Sequence, residues 1–333
     1  MNEPKNVAIV GATGAVGVEM LECLEQRNFP VKSLTLLASA RSAGKRVPFR
    51  GGEVVVQELT HDSFAGIDIA LFSAGGGISK EFAPSAAKAG AIVIDNSSAF
   101  RMDEDVPLVV PEINGQAALQ APRGIIANPN CSTIITLMAL APLHQAFGLK
   151  AVIASTYQAV SGSGAQGIIE LEDQIRAISA GESPQPRVYK HPIAYNVIPE
   201  VDAFTDNGYT KEELKMLHEG RKILNHPTLQ VSCTCVRVPV LRSHSISVTA
   251  QFEREPDLAA ARAAYDGKPG VAVRDNPAER LYPVPLDTTG KDDCLVGRMR
   301  RNLVLENALD LWVVGDQVRK GAALNAVQIA ELL

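Results

Sequence analysis

Aromatic residues make up only 5% of this 333-residue chain, with a single tryptophan. That scarcity argues against base-stacking platforms and against aromatic cages for sugars or cholines, which need several exposed rings. Charge of one sign is also lacking: 32 Lys+Arg stand against 37 Asp+Glu, a net charge of −5, with no block of like charge. Binding to nucleic acid through counterion release is therefore not expected, whereas a small anionic substrate needs only a few cations focused in one cleft. No long apolar run is present. The longest near a helix, Ser132 to Leu143, is too short for a membrane span and is interrupted by Pro142. Met1-Asn2-Glu3-Pro4-Lys5-Asn6 leads directly into Val7-Ala8-Ile9-Val10 without a signal-peptide apolar region, so a cytosolic location is expected. Cysteines are few and odd in number, five in all, which reads as reduced thiols rather than a disulfide framework. Cys233 and Cys235 have strand spacing and no second ligand pair nearby, so they read as two small side chains on one strand face rather than a zinc site, and no metal is expected.

What is present is an ordinary globular composition, 46% hydrophobic and 21% charged, over a length that suggests two domains, each with its own core, and a cleft. The first half alternates strands (Val7 to Val10, Ser33 to Ala38, Ile67 to Ser73, Ala91 to Asp95, Gly124 to Ala127) with helical stretches. The clearest of these is Val16 to Gln26, with Val16, Met20, Leu21 and Leu24 on one face. That order predicts βαβ units and a mostly parallel sheet. In the second half, Ala151 to Gln158, Leu229 to Pro239 and Ser243 to Glu253 look like antiparallel strands. Gly167 to Ser179 is helical through Ile168, Leu171, Ile175 and Ile178. Pro- and Gly-rich segments, Gly181 to Pro186 and Pro283 to Gly290, read as loops, and Asp316 to Leu333 as one Ala-rich helix.

Directly after the first strand comes Gly11-Ala12-Thr13-Gly14-Ala15-Val16-Gly17. Strand, glycine loop and helix in this order make a dinucleotide cradle: the glycines allow close backbone approach, and the helix start offers unpaired N–H groups to a pyrophosphate. The second strand lacks the acidic residue that would hold a ribose 2′-hydroxyl. It is followed instead by Ser39, Arg41 and Ser42, a set suited to a 2′-phosphate and hence to NADP; a solvated basic turn is the alternative.

The most informative segment is Ile125 to Ile135, where a buried strand ends at Asn128-Pro129-Asn130. An amphipathic helix through Ile134, Leu137, Met138 and Ala141 is expected to follow, which puts Cys131 at or just before its N-terminus. The helix dipole there stabilises a thiolate, and backbone N–H groups can hold an oxyanion.

These motifs together, with Ser97-Ser98-Ala99-Phe100-Arg101, Gln158-Ala159-Val160-Ser161-Gly162-Ser163-Gly164, Glu212-Glu213-Leu214-Lys215 and Arg237-Val238-Pro239-Val240 leading to His244, carry a resemblance. Along nearly its full length the chain is similar to the aspartate-semialdehyde dehydrogenase family of bacterial type. The resemblance implies NADPH-dependent reductive dephosphorylation of L-aspartyl-4-phosphate to aspartate 4-semialdehyde and phosphate, a step in lysine/diaminopimelate, methionine, threonine and isoleucine biosynthesis. In that reading Cys131 attacks the acyl phosphate to give a thioester, splitting one hard displacement into two steps. His244 takes the thiol proton and later exchanges one with the thiohemiacetal oxygen. Arg237, Gln158 and Glu212 bind substrate; Arg101, Asn130 and Lys215 bind phosphate. Gly11, Thr13, Gly14, Ala15, Val16, Ser39, Arg41, Ser42, Ser161, Gly162 and Gln317 bind the cofactor. Read from the residues alone, Glu212 equally fits an N-capped, solvated helix start after Thr210.

The implied architecture is α/β. A Rossmann-like nucleotide-binding domain spans 1–129 and 314–333, and an α+β catalytic and dimerisation domain with a mixed, largely antiparallel sheet spans 130–313, giving a homodimer. Two rivals stand beside this reading: an NADP-dependent acyl-phosphate reductase of the N-acetyl-glutamyl-phosphate type, and a nucleotide-binding relative without activity.

Overall fold

Four consecutive apolar residues, Val7-Ala8-Ile9-Val10, are satisfied together by a strand covered on both faces. In the computed structural model, which describes residues 3–333, all four are buried within β1 (Lys5–Val10). Met1 and Asn2 lie outside the described residues. β1 pairs with β2 (Val31–Ala38) and β5 (Ile69–Phe72) at the middle of a seven-stranded sheet. The other strands are β3 (Arg46–Phe49), β4 (Gly52–Glu58), β6 (Ile92–Asp95) and β7 (Ile125–Ala127), in the order β3-β4-β2-β1-β5-β6-β7. Every pairing is parallel except the β3–β4 hairpin. The parallel strands follow the sequence expectation, but β3 and β4 were not foreseen. Their two-residue turn, Arg50-Gly51, has both residues at positive φ, and arginine at the first position masks the usual turn signature.

Met20, Leu21 and Leu24 of the Ala15–Gln26 helix pack into one core with the sheet and with Leu324, Val327 and Ile329 of the Leu324–Glu331 helix. Two bonds of 2.6 Å from the Arg27 guanidinium to Glu331 fasten the helices together. This first unit runs to Asn130 and takes back Ala322–Leu333; the second is Cys131–Gly321. The return begins at Ala322 rather than at 314 because the strand before it runs through Gly315 in the other sheet. The single C-terminal helix expected from Asp316 is also broken. A π-helical turn, Arg319–Ala323, precedes Leu324–Glu331, and Asp316 turns the chain by accepting from the Val318 N–H at 2.9 Å.

The second unit carries a six-stranded sheet: β8 (Leu149–Gln158), β9 (Gln230–Arg237), β10 (His244–Phe252), β11 (Val271–Val273), β12 (Cys294–Arg301) and β13 (Ala308–Gly315). Their order is β11-β12-β13-β10-β8-β9. β10 is antiparallel to both β8 and β13, but β8 and β9 are parallel, against the expectation for these alternating segments. The crossover that parallel neighbours require is present, with the helices Ala165–Ser179 and Lys211–Ile223 between them. Along Ala165–Ser179, Leu171 is buried and Ile168 and Ile178 pack beside it, while Ile175 is exposed.

The Cys131–Phe147 helix departs further from expectation. It is buried on all sides from Ser132 to Leu143 and is not amphipathic, as befits a helix apolar around its whole circumference. Pro142 lies inside it without ending it; the missing N–H removes one helical hydrogen bond. Among the described residues no helix is long and apolar enough to cross a membrane.

Candidate active site

Register within the second sheet brings the chemistry to one edge. Gln158, the last residue of β8, is the register partner of Arg237, the last of β9. β10 runs the opposite way, so its first residue, His244, emerges at the same edge, opposite Gly315 at the end of β13. Cys131 is the first residue of the helix that packs on this sheet. Residues separated by more than a hundred positions are thereby gathered with no motif linking them.

At this edge Cys131 Sγ lies 3.5 Å from His244 Nε2. His244 is wholly buried, and its Nδ1 accepts the backbone N–H of Ala159 at 3.0 Å. Burial, reinforced by the Arg237 charge, pushes the imidazole pKa well below its usual value, so the ring is neutral. The carbonyl of the same residue, Ala159, accepts from Arg237 Nη1 at 2.6 Å. Arg237 is itself buried, its guanidinium lies 5.9 Å from the Tyr189 ring centre, and its Nε has no hydrogen-bond partner. A buried guanidinium with an unused donor can accept an anion.

Gly162 passes so close that a Cβ there would fall 2.9 Å from Arg237 Nη1 and 3.3 Å from His244 Cε1. Gly321 is pressed on Cys131 in the same way, a Cβ there falling 2.8 Å from Cys131 Cβ. Ala159, Tyr189 and Gly321 escaped sequence reasoning: two act through backbone or absent atoms, and Tyr189 lies in a loop with no periodicity.

A second polar chain runs alongside. Lys215 Nζ contacts Glu212 at 2.9 Å and Asp202 at 3.0 Å; Glu212 accepts from Gln158 Nε2 at 3.1 Å, and Thr156 donates to Gln158 Oε1 at 3.0 Å. Burial works against the Lys215 charge, but the two carboxylates outweigh it and hold its pKa above the usual value. Glu212 is buried rather than solvated. The capping role belongs to its neighbour, Glu213, which exchanges bonds with Thr210 and also accepts from the Cys235 N–H at 2.9 Å. The cap thus falls to Glu213, while Glu212 turns to Gln158 and Lys215.

Gln317 has both ends of its amide engaged. Oε1 accepts from the Ser243 N–H at 2.8 Å and Nε2 donates to Ser161 Oγ. Ser243, buried and at positive φ immediately before His244, is held in that uncommon conformation by this contact and by Thr288. Cys233 and Cys235 lie 3.7 Å apart, sulfur to sulfur, on one buried face of β9. The same burial pushes the Cys235 thiol up, after the larger effect of its contact with Cys233. Among the described residues no cluster of His, Cys, Asp or Glu is arranged to hold a metal.

In the first unit, the glycine loop fits a dinucleotide. Gly11 has φ +86°, and a Cβ there would meet Ser73 and Ala74 at 3.0 Å. A Cβ on Gly17 would fall 2.3 Å from the Gly11 carbonyl oxygen, so the helix can seat against the strand only with glycine present. Gly14 caps the Ala15–Gln26 helix without a side-chain hydrogen bond, and the first turn holds no acidic residue, which leaves the cradle open to an anion. Ser39 and Arg41 are exposed after β2, while Ser42 is buried with its hydroxyl 3.5 Å from that of Thr13. Arg101 is buried, its guanidinium donating to the carbonyls of Asn128 at 2.9 Å and Asn96 at 3.0 Å. Asn130 is buried as well.

Comparison with known proteins gives a consistent result. Residues 6–121 match the family described as semialdehyde dehydrogenase, NAD binding domain, and residues 140–320 match semialdehyde dehydrogenase, dimerisation domain. The chain is 52% identical to an aspartate-semialdehyde dehydrogenase of Bacillus subtilis (strain 168), with 100% of this chain and 98% of that protein covered. Among solved structures it is similar to aspartate semialdehyde dehydrogenase II of Vibrio cholerae complexed with ASA, at TM-score 0.97 and 47% identity, covering 100% of this chain and 98% of the other. It is also similar to aspartate semialdehyde dehydrogenase with NADP from Candida albicans, at TM-score 0.77 and 25% identity, covering 99% and 98%.

Proposed function

The chain belongs to the aspartate-semialdehyde dehydrogenase family, and on that premise we propose how its residues divide the work. The reaction is NADPH-dependent reduction of L-aspartyl-4-phosphate to L-aspartate 4-semialdehyde with release of phosphate, catalysed by an oxidoreductase of amino-acid biosynthesis. The observation that carries the site assignment is the 3.5 Å approach of Cys131 Sγ to His244 Nε2 at the start of a helix.

Cys131 is the nucleophile. Its thiolate attacks the acyl carbon and expels phosphate, and the thioester that results is the species reduced. Arg237 binds the substrate α-carboxylate, since its buried Nε lacks a partner and its planar fork is already oriented by Ala159 and Tyr189. Gln158 and Glu212 hold the amino-acid end, fixed in turn by Thr156 and Lys215. Arg101, Asn130 and Lys215 attract the phosphate. NADPH, when bound, would supply the hydride. Gly11, Thr13, Gly14, Ala15 and Val16 would cradle its pyrophosphate, Ser39, Arg41 and Ser42 would meet its 2′-phosphate, and Ser161, Gly162 and Gln317 complete its set. The protein works as a homodimer in the cytoplasm.

The test is a phosphate-dependent assay of NADP reduction. Aspartate semialdehyde should be oxidised far more efficiently than longer aldehydes such as N-acetyl-glutamate semialdehyde, and NADP should be preferred to NAD. Equal rates for the longer aldehyde would assign the chain to the other acyl-phosphate reductases, and equal efficiency with NAD would remove the role of Ser39, Arg41 and Ser42.

A further inference from the structure

Residues 180–210, between the helices Ala165–Ser179 and Lys211–Ile223, form neither helix nor strand. Connections longer than about 12–15 residues without structure of their own are uncommon, and are usually functional or disordered. This one touches Arg237 twice. Tyr189 lies over the guanidinium, its ring centre 5.9 Å from Cζ. Further on, the backbone of Ile198 pairs with that of Arg237 in both directions, its N–H donating at 2.9 Å and its carbonyl accepting at 2.8 Å.

The stretch that carries Tyr189 is tied down by two side chains one turn apart on the Ala165–Ser179 helix, Glu170 and Gln174, both buried. Glu170 Oε2 accepts the backbone N–H groups of Val188 and of Arg187, the latter at 3.0 Å. Gln174 Oε1 accepts those of Ile193 at 2.8 Å and Ala194 at 3.0 Å. Gln174 Nε2 joins the two side chains by donating to Glu170 Oε1 at 3.0 Å. Backbone donors on both sides of Tyr189 are thus satisfied from one helix face. Tyr189 is fixed at its far end as well. Its hydroxyl donates to Ser163 Oγ at 3.1 Å, and a Cβ on Gly167 would fall 2.8 Å from the hydroxyl oxygen.

The direction of these bonds is forced. A backbone N–H can only donate, so the end of Gln174 facing Ile193 and Ala194 is oxygen and the end facing Glu170 is nitrogen. Residue 170 therefore needs an acceptor at both ends, one towards Gln174 and one towards Arg187 and Val188. A carboxylate meets that demand; an amide of the same size does not.

We propose that residues 185–198 form a strap walling the Arg237 site, and that Glu170 and Gln174 are positioning residues for substrate recognition, clasping the strap so that Tyr189 keeps water from the guanidinium. The role rests on Arg237 binding the substrate carboxylate. Arg237 Nε is buried without a hydrogen-bond partner, and a contact between charges is stronger where water is excluded. Slackening the clasp lets water reach the guanidinium and weakens its hold on the substrate.

The test is Glu170→Gln, assayed in the direction of semialdehyde oxidation. KM for aspartate semialdehyde should rise about tenfold, with kcat and the KM for phosphate within about twofold of the parent. Loss of folded enzyme lowers apparent kcat and leaves KM alone, so the split distinguishes positioning from mere support of the fold. Combining Glu170→Gln with Gln174→Glu sets donor against acceptor again at each of these contacts, losing only the long bond, 3.3 Å, from Gln174 Nε2 to the Gln185 carbonyl. This exchanged pair should bring KM back to within about threefold of the parent. An unchanged KM in Glu170→Gln, or an exchanged pair no better than the single variant, overturns the proposal. Tyr189→Leu removes the wall and leaves the clasp, and so serves even if Glu170→Gln does not fold: a similar rise in KM is expected, and its absence overturns the strap. Arg237→Lys, measured beside them, isolates the premise. If it leaves KM unmoved, Arg237 is not the carboxylate site and the proposal falls with it; if it raises KM and Tyr189→Leu does not, only the strap is wrong.

Discussion

The two units hold their functional groups in opposite ways. In the first, the Gly11–Gly17 loop works by what is missing: no Cβ at Gly11 or Gly17, no side-chain cap at Gly14 and no acid in the first helical turn. In the second, the sheet edge is crowded with polar side chains that restrain one another, from Lys215 through Glu212 and Gln158 to Thr156, and from His244 and Arg237 to the two faces of Ala159. A cradle of backbone suits a ligand whose charge is fixed and whose shape is general. A constellation of oriented side chains suits a reaction whose charges appear and vanish, because preorganised dipoles need not rearrange as the transition state forms.

The sharpest way to separate the two regions is Cys131→Ala. Loss of the nucleophile should abolish measurable turnover while NADP, titrated by fluorescence, binds with unchanged affinity. Residual turnover near the parent rate would mean that the thiol is not the acyl acceptor and that the second unit's edge has been misread.

The complementary change in the first unit is Gly17→Ala. A methyl 2.3 Å from the Gly11 carbonyl oxygen and 2.8 Å from Ala12 Cα must displace either the loop or the helix start. Overpacking of this kind costs typically 1–3 kcal/mol, so NADP affinity should fall roughly five- to hundredfold. Cys131 should still be alkylated by iodoacetamide at the parent rate, since the second unit keeps its own edge. Unchanged NADP binding would remove the loop from the cofactor site.

The same contrast decides what could be read from the sequence. A backbone cradle must write itself as glycines at fixed spacing after a strand, so Gly11, Gly14 and Gly17 were legible, as were the parallel strands that are buried on both faces. Cys131 was legible because a helix start leaves a local signature. The sheet edge was legible only in part, since it depends on register between strands far apart in sequence: spacing put Arg237 and His244 at one cleft, and only family resemblance added Gln158. Ala159 has no chemistry of its own to read, for its part is played by backbone N–H and C=O. Glu212 and Glu213 look alike in sequence, and only the packing of the Lys211–Ile223 helix against β9 gives one to the cap and the other to Gln158. The all-round burial of the Cys131–Phe147 helix was missed because its apolar positions also satisfy a one-faced pattern.

The smallest of these effects, and the most discriminating, is expected from Arg237→Lys. Lysine keeps the positive charge, so a site that merely attracts anions would scarcely notice the change. The geometry at Arg237 asks for more. One guanidinium nitrogen is committed to the Ala159 carbonyl, the plane lies near the Tyr189 ring, and Nε is left for the incoming carboxylate. An ammonium cannot serve a carbonyl and a carboxylate in one plane, as a guanidinium can. A hydrogen bond to a charged group is worth about 1.5–3 kcal/mol, of which the retained charge recovers a part, so KM for aspartate semialdehyde should rise about tenfold. Turnover at saturation should fall less, because Cys131 and His244 are untouched. If kcat fell in place of KM, Arg237 would be acting on the imidazole through their shared Ala159 rather than on the substrate. The two units would then differ less than their geometry suggests, each using backbone to orient the group that matters.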